Sequence, residues 1–309
     1  MKKYFVLILL LLLNFNIYTE DLIINIDKSN LFNNVKFLTS LPDFRNHTNL
    51  DSLNLSSDYI KNKFIKIGLI TEEEIFIVNN NKYKNIIGKI NSNKKNIIII
   101  GAHYDVYGNQ VGADDNASGI AGLLELARTL KRNENLINNQ IIFIAYSLEE
   151  PPYFNTQNMG SYINAKGLYN KKIKIKYMIC LEMIGYFSNN DIQEYPLNFM
   201  KLIYPKKGNF IALVGRTKEK NILKRLKKIY IDNTNITCET LATPVVIPGI
   251  DLSDHKNYWK FGYNAIMITD TSYYRNKNYH KESDTINTLD FDKMKEVIKG
   301  LSYFVIKEE

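Results

Sequence analysis

Five short stretches carry the side chains that could do chemistry. Gly101-Ala102-His103-Tyr104-Asp105 follows four isoleucines and sets an imidazole two residues from a carboxylate, a pairing that suits a metal ligand and the acid behind it. Asp114 and Asp115 stand side by side ahead of an amphipathic stretch. There they read either as helix caps or as metal ligands, and the cap reading weighs more on Asp114 than on Asp115. Glu149 and Glu150 close an almost wholly apolar segment. Adjacent residues leaving a strand point in opposite directions, so one can bind a metal while the other addresses a water. Glu182 stands alone in an apolar run, where an acid is costly to bury without a cation or donors beside it. His280 lies in the polar segment Tyr279–Thr285. Carboxylates converging with these imidazoles could not all stay ionised without cations between them. Oxygen donors mixed with imidazole suit zinc, with manganese or cobalt as substitutes, and Asp115 could bridge two ions. Two-metal hydrolysis leaves the fewest of these residues unexplained. The chain contains no H-E-x-x-H, G-x-S-x-G or Walker pattern to support a competing hydrolase.

The elements that must position these residues alternate. Helical spacing runs through Leu31–Leu69 in two pieces, broken around Pro42–Ser52, and strands follow at Glu74–Val78 and Tyr83–Ile90 as a hairpin. Buried strands are expected at Asn96–Gly101, Gln140–Leu148 and Tyr177–Met183, with further strands at Asn209–Gly215 and Ala265–Thr269. Helices are expected at Ser118–Leu130, Glu219–Asp232, Ser253–Phe261 and Asp290–Lys307. Such alternation implies a largely parallel sheet covered on both faces, with ligand sites at the carboxyl ends of its strands.

Composition bounds the rest. With 45% hydrophobic and 23% charged residues among 309, the chain is neither disordered nor collagen-like. Two cysteines, Cys180 and Cys238, exclude a disulfide framework and every multi-Cys zinc module, and both read as packing residues. The net charge of +8 is scattered, which points to solvated surface and to no nucleic-acid partner. Met1-Lys2-Lys3 precedes ten apolar residues, Tyr4–Leu13, so residues 1–19 read as a signal peptide or N-terminal anchor. The expectation is an exported protein, periplasmic, secreted or membrane-anchored, with a single domain over 28–309; it meets a membrane only if the segment is not cleaved.

Taken in order, Gly101–Asp105, Gly112–Leu130, Glu149–Glu150, Leu181–Gly185 and Tyr279–Leu289 resemble the co-catalytic zinc aminopeptidase family, which also includes glutaminyl cyclases and carboxypeptidase relatives. The likeness runs from about Leu31 to the C-terminus. It implies a three-layer α/β/α sandwich on a mixed, mostly parallel sheet, two zinc ions, and hydrolysis of N-terminal residues of peptides. By motif, His103 and Glu150 would hold one ion, Glu182 and His280 the other, and Asp115 would bridge. Asp105 would support His103, and Glu149 would be the general base on a bridging water. A cis peptide between Asp115 and Asn116 is implied as well. Glu182 departs from the Asp of many members but remains a competent oxygen ligand. The alternatives are a glutaminyl-peptide cyclotransferase with a single zinc, or an inactive envelope-binding homologue. Ser253 reads as a helix cap and His255 as lining or supporting the cleft. In the Thr269–Arg275 segment, a Tyr such as Tyr274 could donate to an oxyanion and Arg275 could bind a carboxylate; a packed aromatic and a surface Arg read equally well.

Overall fold

The computed structural model describes residues 24–245 and 247–308; the expected signal or anchor at 1–19 lies outside them. Its strands are β1 (Ile70–Val78), β2 (Asn81–Ile90), β3 (Ile97–His103), β4 (Gln140–Tyr146), β5 (Tyr177–Glu182), β6 (Phe210–Arg216), β7 (Thr237–Thr243) and β8 (Ala265–Thr269). They form one mixed sheet in the order β1-β2-β4-β3-β5-β8-β6-β7. The central strands β4, β3, β5 and β8 are parallel, as are β6 and β7; the β1–β2, β2–β4 and β6–β8 pairings are antiparallel. The isoleucine run makes β3 a central strand because both faces need apolar cover: Ile98 and Ile100 enter one core, Ile99 the other.

The helices are α1 (Lys28–Leu38), α2 (Leu50–Ile67), α3 (Gly119–Arg132), α4 (Gly160–Asn170), α5 (Lys220–Asn233), α6 (His255–Lys260) and α7 (Phe291–Lys307). α1, α2, α3, α5 and α7 supply the larger core, where Leu123, Leu226 and Ile298 meet the sheet. α4 and α6 cover the other face, with Ala165, Tyr258 and Trp259 against Met178 and Met267. The architecture is therefore the expected three-layer α/β/α sandwich on a mixed sheet. Asp290 caps α7 by accepting from the Asp292 and Lys293 amides, and α2 ends on Gly68 at φ 91, a left-handed conformation that glycine adopts freely. No helix among the described residues is long and apolar enough to cross a membrane.

Two elements were not foreseen from sequence. α4, GSYINAKGLYN, carries two glycines and little apolar periodicity, and Gly160 opens it because a Cβ there would come within 2.1 Å of Asn85 Oδ1. β7, TCETLAT, lacks a hydrophobic run because it is an edge strand with mostly half-buried residues.

Candidate active site

The sheet gathers the acids because parallel strands end on one side. His103 is the last residue of β3 and Glu182 the last of β5. Glu149 and Glu150 follow β4, Asp115 lies in the turn into α3, and His280 arrives on the loop after β8. His103 Nε2 is 3.3 Å from Asp115 Oδ1 and 3.4 Å from Glu182 Oε2. His280 Nε2 is 3.1 Å from Asp115 Oδ2 and 3.3 Å from Glu150 Oε2. One oxygen of Asp115 thus faces each histidine. The groups His103–Asp115–Glu182 and Asp115–Glu150–His280 each offer donor atoms within 4.8 Å of one another, as does His103–Glu149–Glu150. The partition corrects the one implied by the resemblance: Glu182 goes with His103, and Glu150 with His280. The cause is strand order. β5 lies beside β3, so their last residues meet, whereas Glu150 lies beyond the end of β4 within reach of the His280 loop.

Backbone and polar partners fix this set. The Glu149 and Glu150 amides donate to the two oxygens of Asp105, at 3.1 and 3.0 Å, while His103 Nδ1 lies 3.6 Å from Asp105 Oδ1. Asp105 therefore holds both glutamates as well as lying behind the imidazole. Asp284 does the same for the bridging position, accepting from the Asp114 and Asp115 amides at 2.9 and 3.0 Å. The Ser253 hydroxyl donates to Glu182 Oε2 at 2.6 Å, so Ser253 is not the cap of α6 that sequence suggested. The Asp114 carboxylate does not cap α3 either; it accepts from the Gly185 amide and Asn276 Nδ2, and Asn116 Oδ1 accepts from the Gly119 amide instead. The Asp115–Asn116 peptide is cis. Leu148, Met183 and His280 take left-handed backbone at φ 60, 47 and 56, a costly conformation for residues with a Cβ, placed where ligand side chains must be aimed.

Three contributors were invisible as motifs. Arg45, from the Asn-rich break, is buried and donates to the carbonyls of Leu38, Tyr104, Val111 and Gly112, which ties the loop between β3 and Asp115 to α1. Asp284 is one acid of a polar loop. Tyr107 stacks on His280 at 4.2 Å opposite Tyr279 at 3.8 Å, so the imidazole is held between two rings.

Burial and neighbours set the charges. Burial pushes Glu149 well above the carboxylate range against the pull of His103, and raises Glu150 to about 8, with Asp115 adding to the rise. Burial also acts on Asp115, but the two imidazoles that face its oxygens, His103 and His280, outweigh it and hold its carboxyl well below the usual range. Both histidines are pushed up despite burial: His103 by Glu182 and Glu149, His280 to about 9 by Asp115 and Glu150. His103 Nε2, His280 Nε2 and Glu150 Oε1 are buried without a hydrogen-bond partner. Imidazole nitrogens and carboxylate oxygens converging with unpartnered donor atoms fit divalent metal ions, which would take the place of the protons.

Other candidates fall elsewhere. His255 Nε2 lies 2.7 Å from the Ile250 carbonyl, and its ring meets Trp259 edge-on; burial lowers it to about 4. Arg275 is buried, donates to Gln193 Oε1 and the Tyr186 carbonyl, and lies over Phe210, so it is neither a surface residue nor a ligand for substrate. Tyr274 and Tyr279 line the cleft. Cys180 and Cys238 are buried free thiols. The cleft itself is a cavity of about 170 Å³ that starts at Asp115, Glu149, Glu150 and Glu182 and extends over β8, β6 and β7.

Comparison with known proteins places this geometry. The model of "Peptidase family M28" matches residues 85–305, more than half of the chain. The uncharacterized protein YfbL of Escherichia coli is 42% identical over 276 residues, covering 86% of this chain and 84% of its own. A probable leucine aminopeptidase of Arthroderma otae is 24% identical over 302 residues, covering 93% and 74%. Among solved structures, LapB of Legionella pneumophila superposes with a TM-score of 0.72 at 23% identity, covering 91% of this chain and 72% of that one. Tannerella forsythia glutaminyl cyclase does so with 0.69 at 16% identity, covering 92% and 100%. At these identities the structural likeness is one of fold.

Proposed function

From the premise that the chain belongs to peptidase family M28, we propose that it is a two-zinc aminopeptidase. The observation that carries this reading is Asp115, whose two oxygens each face a separate histidine–glutamate pair. His103 and Glu182 would hold one ion, His280 and Glu150 the other, with Asp115 between them. When bound, the ions supply Lewis-acid polarisation of the scissile carbonyl and acidify the attacking water.

The chain's own groups do the rest. Glu149 lines the cavity and has its backbone held by Asp105. Its carboxylate would take a proton from the water and pass it to the leaving amine. The Tyr279 hydroxyl makes no hydrogen bond to a described residue and lies on the cleft wall, so it is free to donate to the carbonyl oxygen as charge develops there. Asp105 and Asp284 hold Glu149, Glu150 and Asp115 through their backbones and leave all three carboxylates for ions and substrate. The likeness to a probable leucine aminopeptidase supports hydrolysis at a free N-terminus.

The cyclase reading has the fold of the Tannerella protein behind it. The intact His103–Glu182 pair favours two ions over one. The test is metal content together with hydrolysis of a panel of aminoacyl-coumarin amides, with and without 1,10-phenanthroline. Two zinc ions per chain and chelator-sensitive release of coumarin are expected. Full activity in stripped protein would overturn the reading, and one zinc with cyclisation of an N-terminal glutaminyl peptide would replace it.

A further inference from the structure

The cavity continues away from the histidines, and strand register shows what forms its floor. Glu182 pairs with Thr269, Thr269 with Ala212, and Ala212 with Glu239. Paired residues of neighbouring strands present their side chains to the same face. Glu182 and Glu239 therefore stand at the two ends of one row, with only the small side chains of Thr269 and Ala212 between them. The next row on that face, Met267, Val214 and Leu241, is apolar. All of these side chains line the one cavity. Three strand spacings of about 4.8 Å set the two glutamates about 14 Å apart.

Resting on the aminopeptidase reading, we propose that Glu239 recognises the cationic head of a long N-terminal side chain, so that the enzyme selects peptides beginning with lysine or arginine. Glu182 marks the end where the peptide bond is cut and Glu239 the far end. A lysine side chain spans roughly 6 Å from Cα to Nζ, and its hydrogen bond adds about 2.9 Å. With the substrate's own backbone these fill the interval, while the methylene stem lies along the apolar row. A leucine side chain stops well short.

Charge favours the same occupant. Among the described residues the lining contains Asp115, Glu149, Glu150, Glu182, Glu194 and Glu239 and no Lys or Arg, in a chain where 40 basic residues outnumber 32 acids. Four of those acids belong to the histidine cluster; Glu239 is remote from it. Lys227 of α5 donates to Glu239 Oε2 at 2.9 Å, and Oε1 has no hydrogen-bond partner among the described residues. The two side chains are 24% and 32% exposed, and such a pair is weak enough for a second cation to share the carboxylate.

The experiment compares kcat/KM of the zinc-loaded full chain on lysyl, arginyl, leucyl and norleucyl coumarin amides; norleucine keeps the lysine stem without its charge. Lysyl over norleucyl is expected to exceed tenfold. In Glu239→Gln that ratio should fall to within threefold of unity, and in Lys227→Met, which removes the competing cation, it should rise. Independently of turnover, lysinamide binding to Glu149→Gln by calorimetry should weaken at least tenfold when Glu239→Gln is added. Leucyl or norleucyl amides cleaved as well as lysyl amide, with a ratio unmoved by Glu239→Gln, would overturn the proposal and leave the aminopeptidase reading standing. Hydrolysis of none of the four amides by zinc-loaded protein would overturn both.

Discussion

Glu149 and Glu150 are adjacent in sequence, share one clamp in Asp105, and yet are assigned different work. Only Glu150 approaches His280, at 3.3 Å, whereas Glu149 Oε2 is 3.9 Å from His103. Glu149→Gln should keep metal and lose turnover by at least ~10²-fold, whereas Glu150→Gln should lose metal; zinc analysis beside single-turnover rates checks both. Proton balance provides a second check. With chelator present, His103, His280, Glu149 and Glu150 all hold protons more tightly than in an unfolded chain. A raised pKa, in a histidine or in a buried acid, contributes stability that is lost as pH rises through the folded value. Asp115 has the opposite sign, but its window lies below the ordinary Asp value of 3.8. The Tm of chelated protein should therefore fall as pH rises through about 8 and about 9, the values for Glu150 and His280. Zinc affinity should rise over the same range, with protons released on binding; calorimetry in buffers of different ionisation enthalpy reads this. A flat Tm profile in chelator would count against the charge assignment.

At the scale of elements, the two-zinc reading depends on the turn from β3 to α3, which aims the carboxylate that two ions would share. Its path is fixed by Arg45, whose guanidinium serves four carbonyls, and by Asp284, which takes the two amides at Asp114 and Asp115. Burial lowers Arg45 to about 10, partly offset by Asp284, Asp115, Asp105 and Glu150, so it stays charged at neutral pH. Arg45→Met leaves those carbonyls unpaired and removes a buried cation among acids, which should cost about 3–5 kcal/mol in urea unfolding. Asp284→Ala should weaken zinc binding at both positions together, since it frees the bridging residue and neither terminal ligand; loss at one position alone would show that Asp115 does not bridge. Gly160 offers a test away from the metals. A Cβ there meets Asn85 Oδ1 at 2.1 Å and the Ser147 carbonyl at 2.7 Å, so Gly160→Ala should lower Tm by several degrees while zinc content stays that of the unaltered protein.

Across the whole molecule, the two-zinc reading makes metal binding and folding one equilibrium, because the candidate ligands come from the ends of β3 and β5, the segment after β4 and two loops that only the folded sheet brings together. Zinc at about 100 times its Kd adds about 2.7 kcal/mol to stability. Chelation should accordingly lower Tm by several degrees, and zinc should restore it. The division between what could be read and what had to be seen follows from range. Residue types, their order along the chain and the isoleucine-rich strands are local, and they were enough to choose His103, Asp105, Asp115, Glu149, Glu150, Glu182 and His280 as candidates and to expect a largely parallel sheet covered on both faces; the mixed-sheet sandwich came from the family resemblance. α4 and β7 escaped because one is held by close backbone approach at Gly160 and the other by pairing at a sheet edge, neither of which leaves a hydrophobic period. Arg45 and Asp284 escaped because nearly all of their partners lie far away in sequence and are backbone atoms, which carry no residue type to recognise. Which glutamate joins which histidine, and that Glu239 shares a cavity with Glu182, depend on strand order and register. Those are decided by how β3, β5, β8, β6 and β7 pack side by side, because a side chain's neighbours across a sheet are fixed by pairing between segments and not by anything within one segment.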